Sequence, residues 1–85
     1  MRIHYTKQSL RVLREYDKST RIRIQRKING LTKIPPEGDI KPLKGSKNES
    51  RLRIGKYRVI FEYLTESKVR ILMINRIDSR GDVYK

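Results

Sequence analysis

Three arginines in the stretch RLRIGKYRVIF are the residues best suited to chemistry in this sequence: Arg51, Arg53 and Arg58. If the stretch forms a hairpin that turns at Gly55-Lys56, Arg53 lies directly across from Arg58. Directly opposed like charges weaken a strand pair by roughly 0.2 to 1 kcal/mol. Stability alone therefore does not favour this arrangement, and we expect an acidic group on that face.

A cluster of guanidinium groups is suited to binding phosphate. Arginine keeps its charge at any working pH, and its planar fork matches phosphate oxygens. When RNA is cleaved by its own 2′-hydroxyl, negative charge builds up on the phosphoryl oxygens, and fixed cations stabilise that state more than the ground state. Arg80 and Tyr84 can border the same surface, where Tyr84 can stack on a base or move a proton. This chemistry requires no metal.

Other catalytic patterns are missing from the sequence. It contains neither a GxxxxGK[ST] loop nor a GxGxxG motif, and it has no cysteine. His4, the single histidine, has no obvious partner for metal binding and is interpreted as a structural residue of the first strand. We therefore expect no cofactor and no metal.

The length and charge of the chain limit the possible functions. With 85 residues, the chain has room for one domain, residues 1–85. Lys and Arg outnumber Asp and Glu by 22 to 9, a formal charge of +13, which points to nucleic acid or an acidic protein as partner. Without a signal peptide or a run of about 18 apolar residues, we expect a cytoplasmic protein with no membrane partner.

The hydrophobic pattern predicts an α+β fold in the order β-α-α-β-β-β. A strand over Arg2–Tyr5 leads to Thr6, a plausible N-cap for a helix over Lys7–Tyr16. Ser19 is predicted to cap a second helix, with Ile24, Ile28 and Leu31 on its buried side. The result is a helical hairpin packed on a mostly antiparallel four-stranded sheet.

The segment between the helices and the later strands is predicted to be a loop, because it contains Pro35, Pro36, Pro42 and Gly45. Three strands follow, over 50–54, 57–64 and 69–76. Residues 78–82 are predicted to leave the sheet.

Alternation along these strands separates two faces. One face carries Leu52, Ile54, Tyr57, Val59, Phe61 and Tyr63, which can pack against the helices. The other carries the three arginines. The basic residues of the two predicted helices are interpreted either as a solvated surface only or as a source of general attraction for RNA.

Several segments of the sequence resemble those of a known protein family. The segments PLKG (42–45), RLRIGKYRVIFEY (51–63) and RGDVYK (80–85) are similar to those of the RelE toxins, within the RelE/ParE superfamily. The resemblance extends over essentially the whole chain and implies a RelE-like fold.

The resemblance also implies a function. RelE toxins are ribosome-dependent endoribonucleases that cut messenger RNA in the A site, and an acidic RelB-like antitoxin neutralises them. By this likeness the partners are mRNA, the ribosome with its small-subunit (16S) RNA, and the antitoxin. Arg51 and Arg53 would contact the messenger backbone, Arg58 would stabilise the scissile phosphate, and Arg80 and Tyr84 would complete the catalytic set.

One departure from the family pattern concerns Asp78, which stands where some active members carry a catalytic arginine. Two other functions remain open at this stage. A ParE-like toxin would inhibit DNA gyrase by binding alone, since one fold can host both activities. A plain RNA-binding accessory protein would account for the charge but would give the opposed arginines no particular role.

Overall fold

The computed structural model describes residues 1–79, which form two helices and five strands. The elements are β1 Arg2–Tyr5, α1 Lys7–Glu15, α2 Lys18–Gly30, β2 Asp39–Pro42, β3 Ser50–Ile54, β4 Tyr57–Glu66 and β5 Val69–Ser79. The strands form one sheet in the order β1-β5-β4-β3-β2, in which β1 and β5 are parallel and the other neighbours antiparallel. The predicted class is confirmed, but the described part of the sheet has five strands and not four.

The additional strand is β2, which lies in the segment predicted to be a loop. Pro42 is the last residue of this edge strand, a position where a sheet tolerates proline. Gly38 precedes β2 with a φ of 131°, and a Cβ there would lie 2.6 Å from Cδ1 of Leu52. The close approach of this segment to β3 therefore depends on glycine at position 38.

The two helices begin with different capping arrangements. Thr6 caps α1 as predicted, because its Oγ1 accepts a hydrogen bond of 3.2 Å from the backbone N–H of Ser9. The prediction that Ser19 caps α2 is wrong. The N-cap position is Asp17, and the Ser19 hydroxyl donates to Oδ2 of Asp17 at 2.6 Å.

The core lies between the helices and one face of the sheet. Its buried members are Leu13, Ile24, Ile28, Leu31, Leu52, Ile54, Val59, Phe61, Leu72, Ile74 and Ile77. Tyr57 packs against this cluster, as predicted, and Tyr5 and Tyr16 do so too. The hydroxyl of Tyr63 donates to the carbonyl of Leu31 at 2.6 Å, and burial raises the pKa of Tyr63. Within residues 1–79, neither helix is long and apolar enough to cross a membrane.

Strand β5 contains an irregularity that shapes the opposite face of the sheet. Ile60 pairs with Arg76 but the next residue, Phe61, pairs with Ile74, so Asn75 is an extra residue on β5. The start of α1 bonds to β5 here. Thr6 Oγ1 donates to the Asn75 carbonyl at 2.8 Å, and Gln8 exchanges two bonds of 3.3 Å with Ile77. These bonds hold the bulge where β1 no longer pairs with β5.

Candidate nucleic-acid interface

The three central arginines project from the sheet face that the helices do not cover, which we call the outer face. Pairing in the β3–β4 hairpin sets Arg53 opposite Arg58, as predicted, and it sets Leu52 opposite Val59. The hairpin turns at Gly55, whose φ of 59° is accessible to glycine at little cost. Because side chains alternate along a strand, burying Leu52 and Val59 under the helices places Arg53 and Arg58 on the outer face.

The acidic groups expected near these arginines are Asp39 and Asp78. Asp39 pairs with Arg53 across β2 and β3, and Asp78 pairs with Arg58 across β4 and β5. One row of the sheet therefore reads Asp39, Arg53, Arg58, Asp78. Each opposed arginine has a carboxylate on its other side, and this arrangement offsets the repulsion between them.

Arg58 and Arg76 share the carboxylate of Asp78. Arg58 donates from Nε to Oδ1 and from Nη2 to Oδ2, both at 3.2 Å. Arg76 donates to Oδ2 from Nε at 3.2 Å and from Nη2 at 3.1 Å. Within residues 1–79, Nη1 of each arginine makes no hydrogen bond. The cluster has two positive charges and one negative, and it keeps free N–H groups for a further anion.

Arg51 and Arg53 form a second cluster around Asp39. Arg51 Nη2 lies 3.4 Å from Oδ1 of Asp39, and Arg53 Nε lies 3.2 Å from Oδ2. The Arg51 side chain is only 12% exposed, and its Nε is buried without a partner among the described residues. Arg53 is exposed.

A cleft of about 350 Å³ opens beside the Asp78 cluster, lined by Leu43, Glu49, Arg58, Ile60, Asn75 and Arg76. Of the predicted site residues within 1–79, only Arg58 lines it. Arg51 and Arg53 lie on the same face toward β2 but do not line the cleft. Arg80 and Tyr84 lie outside the described residues.

Three residues of the cleft were missed by the sequence analysis: Glu49, Asn75 and Arg76. The signal for Arg76 is the spacing of Ile74 and Ile77, which are both buried although they are three residues apart. Strict alternation cannot bury both, so a bulge is required between them. The bulge places Arg76 and Asp78 together on the outer face. Glu49 left no comparable signal, because its place depends on the loop before β3.

Other candidate groups lie elsewhere. His4 is an exposed residue of β1, which sits at the edge of the sheet far from β3 in strand order. The described residues contain no group of His, Cys, Asp and Glu that could hold a metal ion. The basic residues of α1 and α2 belong to the helical layer, on the other side of the sheet from the cleft.

The sequence is similar to that of a candidate toxin, RelE1, of Methanocaldococcus jannaschii. The two are 47% identical over 53 residues, which cover 61% of this chain and 57% of the relative. The chain therefore spans little more than half the length of that relative. No protein-family model matches the chain.

The fold is similar to chains in three crystal structures of toxin–antitoxin complexes. In the archaeal RelE–RelB complex of Pyrococcus horikoshii the TM-score is 0.68 at 28% identity, and the match covers 94% of both chains. In the RelB–RelE complex of Methanococcus jannaschii the TM-score is 0.70 at 23% identity, covering 96% of this chain and 95% of that one. In the RelBE2 complex of Mycobacterium tuberculosis the TM-score is 0.71 at 20% identity, and the match covers 93% of this chain and 96% of that one.

Proposed function

We propose that this chain, which is RelE-like in sequence and in fold, is the toxin of a toxin–antitoxin pair and cleaves messenger RNA on the ribosome. The observation that carries the proposal is the meeting of Arg58 and Arg76 at one cleft on the outer face. An RNA phosphate in this cleft can accept hydrogen bonds from Nη1 of both arginines.

The reaction is attack of a 2′-hydroxyl on the adjacent phosphate. Charge increases on the two non-bridging phosphate oxygens as the new bond forms. Arg58 and Arg76 are held by Asp78 before the substrate arrives, so little reorganisation is needed to stabilise that charge. Arg51 and Arg53, farther along the outer face, bind the messenger backbone. Arg80 and Tyr84 complete the site by the family likeness.

The charge of the chain explains why the ribosome is the proposed place of action. At +13, the protein gains most of its affinity for ribosomal RNA by releasing counterions. Each phosphate that it neutralises adds about 0.7 to 0.9 to the slope of log affinity against log salt. We therefore expect weak cleavage of free RNA and binding to ribosomes that falls steeply as salt rises.

The neutralising partner is proposed to be an acidic, RelB-like antitoxin. Chains of similar fold have been crystallised in RelB–RelE complexes. An acidic segment would find the outer-face arginines complementary in charge, and covering them would block the cleft.

Primer extension on translated messenger after induction tests the proposal, with Arg58→Ala as the variant. Loss of one transition-state donor lowers cleavage about 10²- to 10³-fold, while binding to ribosomes is retained. The matched control is Lys68→Asn, which also removes one charge but lies in the turn at the far end of β4, where φ is 66° and asparagine is tolerated. Control cleavage should equal that of the unaltered protein.

Two results would contradict the proposal. If Arg58→Ala cuts at the original rate, Arg58 has no part in the reaction. If messenger stays intact while DNA gyrase is stalled, the chain is a ParE-like inhibitor that acts by binding.

A further inference from the structure

A second row of residues crosses the outer face, next to the row that has an aspartate at each end. It consists of Lys41 on β2, Arg51 on β3, Ile60 on β4 and Arg76 on β5, each directly opposite the next. Residues that lie opposite one another on neighbouring strands share a face of the sheet. This cationic row therefore has three positive charges and no carboxylate.

Lys41 has the outermost position in the cationic row, because β2 is an edge strand. It is exposed, and its neighbour Ile40 packs against the core, so alternation along β2 directs Lys41 to the outer face. Arg51 and Arg76 each reach a carboxylate of the neighbouring row. Lys41 forms no ion pair and no hydrogen bond within residues 1–79. Its ammonium group is therefore available to an anion.

Stability alone does not explain why Lys41 stands opposite Arg51. Directly opposed like charges weaken a strand pair, and the cationic row holds no carboxylate to offset the repulsion. Asp39, in the neighbouring row, already accepts hydrogen bonds from Arg51 at one oxygen and from Arg53 at the other. A phosphate bound beside Lys41 would supply the missing negative charge.

The charges of the outer face distinguish two directions in which RNA can leave the cleft. Along β4, away from the hairpin turn, the outer face carries Glu62 and Glu66, whose carboxylates repel phosphate. Across the strands toward β2, the cationic row continues with Arg51 and then Lys41. Electrostatic attraction therefore favours the path across the strands.

The length of this path corresponds to a short piece of RNA. Neighbouring strands lie about 4.8 Å apart, so three steps place Lys41 about 14 Å from Arg76 along the row. In a stacked strand of nucleic acid the phosphates recur about every 3.4 Å along the axis, so about four phosphates span that distance. The phosphate nearest Lys41 is therefore within about four linkages of the cleavage position.

We propose that the messenger crosses the strands of the sheet from the cleft toward β2, and that Lys41 binds one of its backbone phosphates at the outer end of this path. This inference rests on the proposed function. The contact is ionic and lies away from the reacting phosphate, so it has the same strength in the ground state and in the transition state. Lys41 is thus a binding residue and takes no part in the chemical step.

Single-turnover cleavage on programmed ribosomes, with toxin in excess and its concentration varied, tests the role of Lys41. A contact of equal strength in both states changes the half-saturating toxin concentration and not the maximal rate. Lys41→Gln should raise that concentration about 1.5- to 5-fold, the effect of losing one exposed ion pair, and should leave the maximal rate unchanged. The slope of log affinity against log salt should fall by about 0.7.

Uncharged linkages in the messenger identify the phosphate that Lys41 contacts. A 2′-deoxynucleotide with a methylphosphonate replaces one linkage at a time, within about four linkages on either side of the cleavage position. The same 2′-deoxynucleotide with an ordinary phosphate is the reference. With the unaltered toxin, one such linkage should raise the half-saturating concentration about 1.5- to 5-fold. With Lys41→Gln the same linkage should have no effect, because the charge that contacts it is already absent.

The matched control is Lys27→Gln, which makes the same change at an exposed lysine of α2, on the other side of the sheet. This variant should keep the sensitivity to the uncharged linkage. Urea denaturation checks the fold of both variants. The midpoint for Lys41→Gln should be no lower than that of the unaltered protein, because the substitution removes a charge that repels Arg51.

The outcomes separate the two proposals. If the unaltered toxin cuts but Lys41→Gln keeps its sensitivity to every uncharged linkage, Lys41 only protects the edge strand from pairing, and the proposed function stands. The path across the strands also fails if Lys27→Gln loses the same sensitivity, or if Lys41→Gln lowers the maximal rate. If the unaltered toxin leaves messenger intact, the proposed function fails and this inference fails with it.

Discussion

The two faces of the central sheet use the same strands for opposite purposes. In β3, Leu52 is fully buried under the helices, while its neighbour Arg53 is exposed on the outer face. In β4, Val59 and Phe61 belong to the core, while Arg58 contacts Asp78. One face supplies the apolar area that stabilises the fold, and the other holds charged groups in a fixed pattern.

One face of a sheet can carry charges that repel one another when the other face holds the strands in place. The backbone ladder and the buried side chains set the spacing of Arg53 and Arg58, so the arginines do not need to attract one another. Asp39 and Asp78 at the two ends of the row offset the repulsion. We therefore expect stability to depend on the helix-covered face and activity on the outer face.

The largest effect on stability is expected from Phe61→Ala. Phe61 is 1% exposed, and truncating a buried phenylalanine costs about 3 to 5 kcal/mol. Urea denaturation followed by circular dichroism measures the loss. The free energy of unfolding of a small domain is about 5 to 15 kcal/mol in total, so Phe61→Ala can leave little of it. Ile74→Val, which should lower that free energy by about 0.5 to 1.5 kcal/mol, serves as a milder variant on the same face. A Phe61→Ala protein as stable as the original would contradict the assignment of this face as the core.

Arg58→Ala should change the free energy of unfolding by no more than about 1 kcal/mol, although it is expected to abolish most of the proposed cleavage activity. Asp78 keeps its bonds to Arg76 in this variant, and the repulsion with Arg53 disappears. The same denaturation experiment measures the change. A loss as large as that of Phe61→Ala would mean that the two faces are not separable.

Asp39→Ala should destabilise the protein by about 0.5 kcal/mol at low salt, since Asp39 and Arg53 are both about half exposed and an exposed ion pair contributes about 0.2 to 1 kcal/mol. The loss should shrink toward zero near 1 M salt, where the screening length falls to about 3 Å. Glu66→Ala is the control, because Glu66 is exposed and forms no ion pair within the described chain. A loss of stability that does not respond to salt would show that Asp39 acts by packing.

The smallest effect concerns Asp17, which lies on neither face of the sheet. Hydrogen bonds from the side chains of Ser19 and Thr20 lower its pKa to about 2. Because the folded pKa lies below the unfolded one, Asp17 stabilises the fold above about pH 4, and this contribution is lost as pH falls through about 2. Asp17→Asn should remove this part of the acid dependence, measured by denaturation at several pH values. If the stability of Asp17→Asn falls at low pH as steeply as that of the unaltered protein, Asp17 makes no such contribution.

Much of the fold could be predicted because its signals are local. Thr6 marks the start of α1, and Gly55 marks the turn of the hairpin. The bounds of β3 follow from turn residues on each side. The strand β2 could not be predicted in this way. Its residues Asp39–Pro42 pair with β3 because Gly38 permits a close approach to Leu52, which is a contact across a loop and not a property of the residues next to Gly38.

The same distinction applies to the candidate site, part of which has local signals in the sequence and part of which has none. The sequence by itself determined that Arg51, Arg53 and Arg58 share one face, because a two-residue turn sets the register and alternation sets the side. Only the tertiary structure decided which carboxylates hold those arginines and that Glu49, Asn75 and Arg76 meet Arg58 at a cleft. The physical reason is that these contacts depend on one extra residue in β5, which sets the register of its last residues against β4, and on the pairing of β2 with β3. No local pattern around Glu49 contains either of them.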